Sequence, residues 1–163
     1  MKYLETNSVD PYYNLAYEEW VLTHFTEGEY LILWQNDNTI VIGCNQNTLE
    51  EINAAFVREH NINVVRRTTG GGAVYHDLGN LNYSFITDYD REKGTDMSGF
   101  TGLVVDALKS LSLPASGSGR NDILVDGKKV SGTAQRIGKA FHTGHIDARN
   151  HGGLLVGTDR IHT

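Results

Sequence analysis

Arg66-Arg67-Thr68-Thr69-Gly70-Gly71-Gly72-Ala73-Val74-Tyr75-His76-Asp77 is the stretch from which the rest of the chain is best read. A short apolar run (Ile62, Val64, Val65) delivers two arginines and two hydroxyls into three consecutive glycines, and a second apolar run leaves toward His76, Asp77 and a turn. Backbone without Cβ atoms comes within van der Waals distance of a ligand and turns its N–H groups toward it. Guanidinium groups beside those amides suit phosphate or carboxylate. A tight strand connection with solvated arginines accounts for the same glycines. The loop alone leaves both readings open.

The surrounding composition narrows them. The chain has 163 residues, enough for one domain with a real core, and a formal net charge of −6. That balance argues against a general nucleic-acid binder, which relies on excess Lys and Arg. Arg66, Arg67, Arg120, Lys128, Lys129, Arg136 and Lys139 nevertheless fall in two stretches that also carry glycines. A local basic site on an acidic protein suits a small anionic ligand, and a solvated basic face is the plain alternative. Cys44 is the single cysteine, so no intrachain disulfide and no Cys-based zinc site can form. The start lacks a signal-type apolar segment and no apolar run reaches membrane-spanning length, so the expectation is a cytoplasmic protein without a membrane partner.

Upstream of the loop, Asp10-Pro11 reads as an N-cap with proline in the first helical turn. Tyr13, Ala16, Tyr17, Trp20, Val21 and His24 recur at helical spacing, with Glu18 and Glu19 as solvated charges and Gly28 ending the helix. Residues 30–34 and 39–43 are β-rich and predict a hairpin across Gln35-Asn36-Asp37-Asn38. Thr48 and Glu51 form a capping box for a helix burying Leu49, Ile52 and Phe56. Downstream, Asp77-Leu78-Gly79-Asn80 turns the chain, and Leu81, Tyr83 and Phe85 alternate with Asn82 and Ser84 as in a half-buried strand. Asn80 and Asn82 are candidates to face the ligand site, with ordinary turn and edge roles as the alternative. Phe100, Leu103, Val104, Ala107, Leu108 and Leu111 predict a helix closed by Pro114, and residues 116–119 a flexible connection. Asp126-Gly127 between two β-rich runs predicts a hairpin, in which only one of Lys128 and Lys129 faces a given site.

Several chemistries are excluded by spacing. The Walker pattern fails because Thr133 stands where Gly138-Lys139 needs an earlier glycine, and the dinucleotide pattern fails at Tyr75. No Gly-x-Ser-x-Gly nucleophile elbow is present. A glycine-and-arginine loop, a strand lysine and Asn121-Asp122 remain. Such parts can activate a carboxylic acid with ATP: amides and arginine hold phosphates, lysine stabilises charge at the attacked phosphorus, and aspartate carries magnesium.

Arg-Arg-x-x-Gly-Gly-Gly-Ala-Val-Tyr-His-Asp-x-Gly-Asn resembles the signature of the lipoate–protein ligase A family. Gly119-Arg120-Asn121-Asp122 followed by Asp126-Gly127-Lys128-Lys129-Val130-Ser131-Gly132-Thr133-Ala134 is similar to it too, as are the segments 10–19 and 41–47. The resemblance implies the α+β catalytic fold shared with biotin–protein ligases, a mixed, largely antiparallel sheet with packed helices, as one domain over residues 1–163. It implies ATP-dependent conversion of lipoate to lipoyl-AMP. The lipoyl group then passes to a lysine of an acceptor lipoyl domain, of a 2-oxoacid dehydrogenase complex or the glycine cleavage H protein. Carried over position by position, Arg67, Gly72, Ala73, Val74, Tyr75, Lys129 and Asp122 match the ATP and adenylate site. Arg67, Gly71, Gly72, His76 and Lys129 match the lipoate site, Lys129 the catalytic lysine, and Asp122 the magnesium ligand. Val41, Ile42, Val74 and Tyr75 suit the walls of a tunnel for the acyl tail.

Two departures accompany the resemblance. The family run Phe-His-His-Gly-Thr-Leu-Leu is interrupted here between His142 and His151, and His142, His145, Asp147 and His151 read as a surface loop more readily than as a metal cluster. Family catalytic domains continue past the position of Thr163, which reads as a C-terminally shortened member without an accessory domain. Two rival readings follow: an ATP-independent octanoyl or lipoyl acyltransferase with Cys44 as the candidate nucleophile, and a non-catalytic domain that binds lipoate or its adenylate.

Overall fold

The computed structural model describes residues 1–25, 28–88, 98–119, 122–139 and 150–157. Its elements are β1 (Lys2–Glu5), α1 (Pro11–His24), β2 (Tyr30–Trp34), β3 (Thr39–Ile42), α2 (Thr48–Glu51), α3 (Ala54–Glu59) and β4 (Asn63–Arg66). They continue as β5 (Val74–His76), β6 (Asn82–Asp88), α4 (Ser98–Ser110), β7 (Ala115–Ser118), β8 (Asp122–Val125), β9 (Lys128–Lys139) and β10 (Asn150–Gly157). Seven strands form one sheet in the order β1-β2-β6-β10-β9-β8-β7, antiparallel except for the β1–β2 pair. A three-stranded sheet has the order β4-β3-β5, with β4 parallel and β5 antiparallel to β3. This is the expected α+β class with mixed, largely antiparallel sheets.

Strand alternation gives the large sheet two apolar faces. Tyr30, Ile32, Trp34 and Ile86 pack against Val21 and Leu22 of α1. Leu31, Leu33, Tyr83 and Phe85 pack against Phe100 and Val104 of α4, and Val105, Ala115 and Ile123 extend that layer toward β7 and β8. Asp10 caps α1 as expected, its carboxylate accepting from the N–H groups of Tyr12 at 2.8 Å and Tyr13 at 3.2 Å. The Asp126-Gly127 hairpin also forms, with φ of 51° and 73° at the two turn residues.

Elsewhere the buried faces differ from the periodicity. On α1 the buried stripe is Asn14, Glu18, Val21 and Leu22, while Tyr13 and Trp20 are exposed. On α4, Leu103 is exposed and Val105 faces inward instead, while Leu111 lies past the helix end and is exposed as well. β6 is buried on both faces, so Asn82 and Ser84 alternate with Tyr83 and Phe85 for a reason other than solvent, and Leu81 lies outside the strand.

Three local predictions change for physical reasons. β2 and β3 enter different sheets instead of forming a hairpin, because Asn36 is drawn inside to accept a hydrogen bond from Asn14. The helix predicted from Thr48 is two short ones. Asn47 caps the first, the Thr48 hydroxyl is engaged by Arg66, and Asn53 restarts the second, leaving Leu49 79% and Phe56 50% exposed. Residues 115–118 are an edge strand, since each pairs with β8.

Candidate functional site

The glycine loop is built by its two arginines and a close backbone approach. Arg66 reaches back across β3: its Nη1 donates to the carbonyls of Gly43 at 2.7 Å and Gln46 at 2.8 Å, and its Nη2 to Thr48 Oγ1 at 2.6 Å. It braces residues 43–48 and is not among the described residues that line the cavity below. Gly43 lies against the loop so tightly that a Cβ there would sit 2.0 Å from the Gly71 carbonyl oxygen. Gly71 itself has φ +101°, where only glycine is at ease, and a Cβ would meet Arg67 Nη2 at 2.7 Å. Gly70 and Gly72 have open space around the missing Cβ. Arg67 Nη2 donates to the carbonyls of Gly70 at 3.0 Å and Gly72 at 2.7 Å, fixing the loop's curve with a cation at its centre.

A cavity of about 190 Å³ opens beside this loop. Of the expected site residues, Arg67, Gly71, Gly72, Ala73, Val74, His76 and Lys129 all line it. Lys129 is therefore the inward lysine of the hairpin, while Lys128 is exposed. Asp122 stands behind the wall, with its carboxylate 3.1 Å from Lys129 Nζ across the β8–β9 pair. Tyr75 turns to the other side of β5, where its hydroxyl donates to Asn38 Oδ1 at 3.0 Å. Val41 lines the cavity but Ile42 is packed in the core. Arg120, Asn121 and residues 140–149, with His142, His145 and Asp147 among them, lie outside the described residues, as does the side chain of His151.

His76 is 4% exposed. Burial and the neighbouring Arg67 guanidinium push its imidazole down to about 4, against the opposing pull of Asp77, so the ring is neutral at physiological pH. Two other groups show the same desolvation. Tyr83, hydrogen-bonded to Ser131 at 3.1 Å, is pushed up to about 12. Glu18, expected in solvent, is buried against Ser84 and raised to about 8, chiefly by desolvation. Its neighbour Glu19 forms an ion pair with Arg136 of β9.

Asn82 faces the cavity, and Trp34 and Thr133 line it beyond the expected ligand contacts. The available signal was a set of polar residues at strand positions that the sheet buries on both sides. Chemically, the wall combines one guanidinium, one ammonium, a neutral imidazole and glycine amides with apolar Val41 and Val74. That set suits an anion carrying an apolar tail. Asp122 offers a single carboxylate beside the lysine, which fits magnesium held by one protein carboxylate and substrate phosphates. Among the described residues no group of three or more His, Cys, Asp or Glu could hold a metal by itself.

A family profile described as the lipoyl protein ligase A/B catalytic domain matches residues 10–159, and the chain belongs to that family. Lipoate-protein ligase LplJ of Bacillus subtilis is 51% identical over 137 residues, covering 83% of this chain and 41% of the relative. The chain spans less than half the length of this and of the other curated relatives it matches. Among solved structures, P. falciparum LipL1 in complex with lipoate matches with a TM-score of 0.83 at 29% identity, over 97% of this chain and 47% of that one. A lipoate-protein ligase A bound with ATP gives 0.77 at 26% identity, over 99% and 66%. A bipartite lipoate protein ligase with its E2 lipoyl domain from Thermoplasma acidophilum gives 0.77 at 28% identity, over 99% and 62%.

Proposed function

We propose that this chain, read as one catalytic domain over residues 1–163, activates lipoate with ATP and passes the lipoyl group to a lysine of a lipoyl domain. The observation that carries the reading is the convergence of Arg67, the Gly71–Val74 backbone and the Asp122-paired Lys129 on one cavity. The ligand-bound relatives, one with lipoate and one with ATP, support the same pair of substrates.

In the first step a lipoate carboxylate oxygen attacks the α-phosphorus, the bond to the bridging oxygen breaks, and pyrophosphate leaves with its electron pair. Arg67 and the glycine amides hold the α-phosphate, and Lys129 stabilises the charge that builds on it. Asp122 would hold magnesium, which would supply positive charge beside the phosphates and the leaving group. Tyr75 contributes only its main chain, because its side chain is engaged with Asn38. Val41 and Val74 face the acyl tail, and His76 faces its carboxyl end. In the second step the acceptor amine attacks the mixed anhydride, the acyl–phosphate bond breaks and AMP leaves. The amine gives up a proton as the amide forms. Acceptors of the 2-oxoacid dehydrogenase or glycine cleavage H type and a cytoplasmic setting belong to this reading. Among the described residues no helix is long and apolar enough to cross a membrane.

Lipoate-dependent ATP–pyrophosphate exchange tests the reading. The 163-residue chain exchanges and its Lys129→Ala variant loses about two decades of rate. A folded parent that binds lipoate and never exchanges would make the domain a binding module instead.

A further inference from the structure

His76 is held from behind by two chains of amides. Asn14 Nδ2 donates to the main-chain carbonyls of Ser8 at 3.0 Å and Gln35 at 2.8 Å, and Thr6 Oγ1 donates to Asn14 Oδ1 at 3.1 Å. Those backbone oxygens accept only, so the Asn14 amide has one orientation: reversing it would set oxygen against oxygen. Asn36 Oδ1 lies 3.0 Å from the same Asn14 Nδ2, whose two hydrogens are shared among three acceptors. A reversed Asn36 would set NH₂ against NH₂, so its own NH₂ points to the ring, 3.3 Å from His76 Nδ1. A second chain arrives from β6, where Asn80 Nδ2 donates to Asn82 Oδ1 at 3.1 Å and Asn82 Nδ2 lies 3.5 Å from the same Nδ1. All these asparagines are buried.

Two donors meeting one ring nitrogen require that nitrogen to accept. We infer that Asn14, Asn36 and Asn82 act as positioning residues that fix His76 in the Nε2–H tautomer, so that the ring presents a donor to an acid oxygen bound in the cavity. The acid is the one proposed above, and the ligand half of the inference rests on that reading; the tautomer half does not. The low proton affinity of the buried ring supports it, since imidazolium would need to donate from Nδ1 into two NH₂ groups. A neutral donor of this kind holds a carboxylate oxygen in place without the tight ion pair that would blunt its attack on phosphorus.

Long-range ¹H–¹⁵N correlation on the ¹⁵N-histidine-labelled chain, with His76 assigned by its loss in His76→Gln, reads the tautomer directly. The expected result at neutral pH is a pyridine-type Nδ1 and a pyrrole-type Nε2; a pyrrole-type Nδ1 overturns the inference. Asn36→Asp turns the buried donor into an acceptor, so the pattern swaps to Nδ1–H and the KM for lipoate rises roughly tenfold while that for ATP stays. An unswapped tautomer in a folded Asn36→Asp variant also overturns it, and if the variant does not fold the parent spectrum still decides. Added lipoate shifts the Nε2–H signal of the parent. Calorimetric binding without that shift removes the donor role, whereas no binding at all counts against the proposed substrate and leaves the tautomer as measured.

Discussion

Glu18 of α1 and Ser84 of β6 share a hydrogen bond inside the protein, and Trp34 Nε1 donates to the same Ser84 oxygen at 3.0 Å. With its pKa raised from 4.5 to about 8, chiefly by desolvation, Glu18 keeps its proton in the folded chain where the unfolded chain has lost it. The folded state then binds more protons, so this group's contribution falls as pH rises from about 4.5 to about 8 and is level above that. Glu18→Gln keeps the neutral shape and removes that fall. Thermal melts should show the variant above the parent at pH 8.5 (~ a few kcal/mol at most), with the gap closing near pH 4.5. A constant gap across that range would mean that Glu18 is ionised in the folded protein.

Lys129 and Asp122 act as one unit, because their charges lie 3.1 Å apart beside the cavity. Lys129→Ala and Asp122→Ala each lower the pyrophosphate exchange rate, and the double variant loses less than the product of the two losses. Multiplicative losses in the cycle would separate the two roles.

The glycines of the loop differ in need. Gly43→Ala drives a methyl group into the Gly71 carbonyl, and Gly71→Ala is strained at its positive φ, so each lowers both melting temperature and exchange rate. Gly70→Ala meets open space and changes stability by less than ~1 kcal/mol. Equal sensitivity at the three positions would contradict this geometry.

Arg66→Lys keeps the charge but cannot span two carbonyls and a hydroxyl with one fork. It should lower stability by about 1–2 kcal/mol in urea unfolding and leave the KM for lipoate within twofold, since Arg66 lines no part of the cavity.

Cys44 is a half-buried free thiol outside the cavity wall, with its backbone N–H donating to the Thr69 carbonyl at 2.9 Å. Cys44→Ser should leave exchange and lipoyl transfer within about twofold. Abolition of transfer by that change, with binding intact, would favour the thioester acyltransferase.

The glycine loop, the Asp10 cap and the Asp126-Gly127 hairpin were legible because each rests on a local rule that tertiary packing has no reason to override. Arg67, His76 and Lys129 were legible through a long motif, not through spacing, and their meeting at one cavity depends on strand pairings that no local pattern contains. What escaped was the buried polar interior. Glu18, Asn36, Asn82 and Ser84 look like surface residues in one dimension, and only the crossing of β2, β6 and α1 takes them out of water. The off-by-one faces of α1 and α4 have the same origin: the layer a helix meets chooses the buried stripe, and apolar residues left over stay exposed.

Asn14, Asn36, His76 and Asn82 join a helix, a link, the small sheet and the large sheet, so the two sheets are stitched here by amides. Exposing polar groups lowers heat capacity on unfolding whereas exposing apolar ones raises it. This seam therefore keeps its strength on cooling while the Val21–Ile86 core weakens. The cavity between the sheets should hold its shape at low temperature better than the layers that carry it.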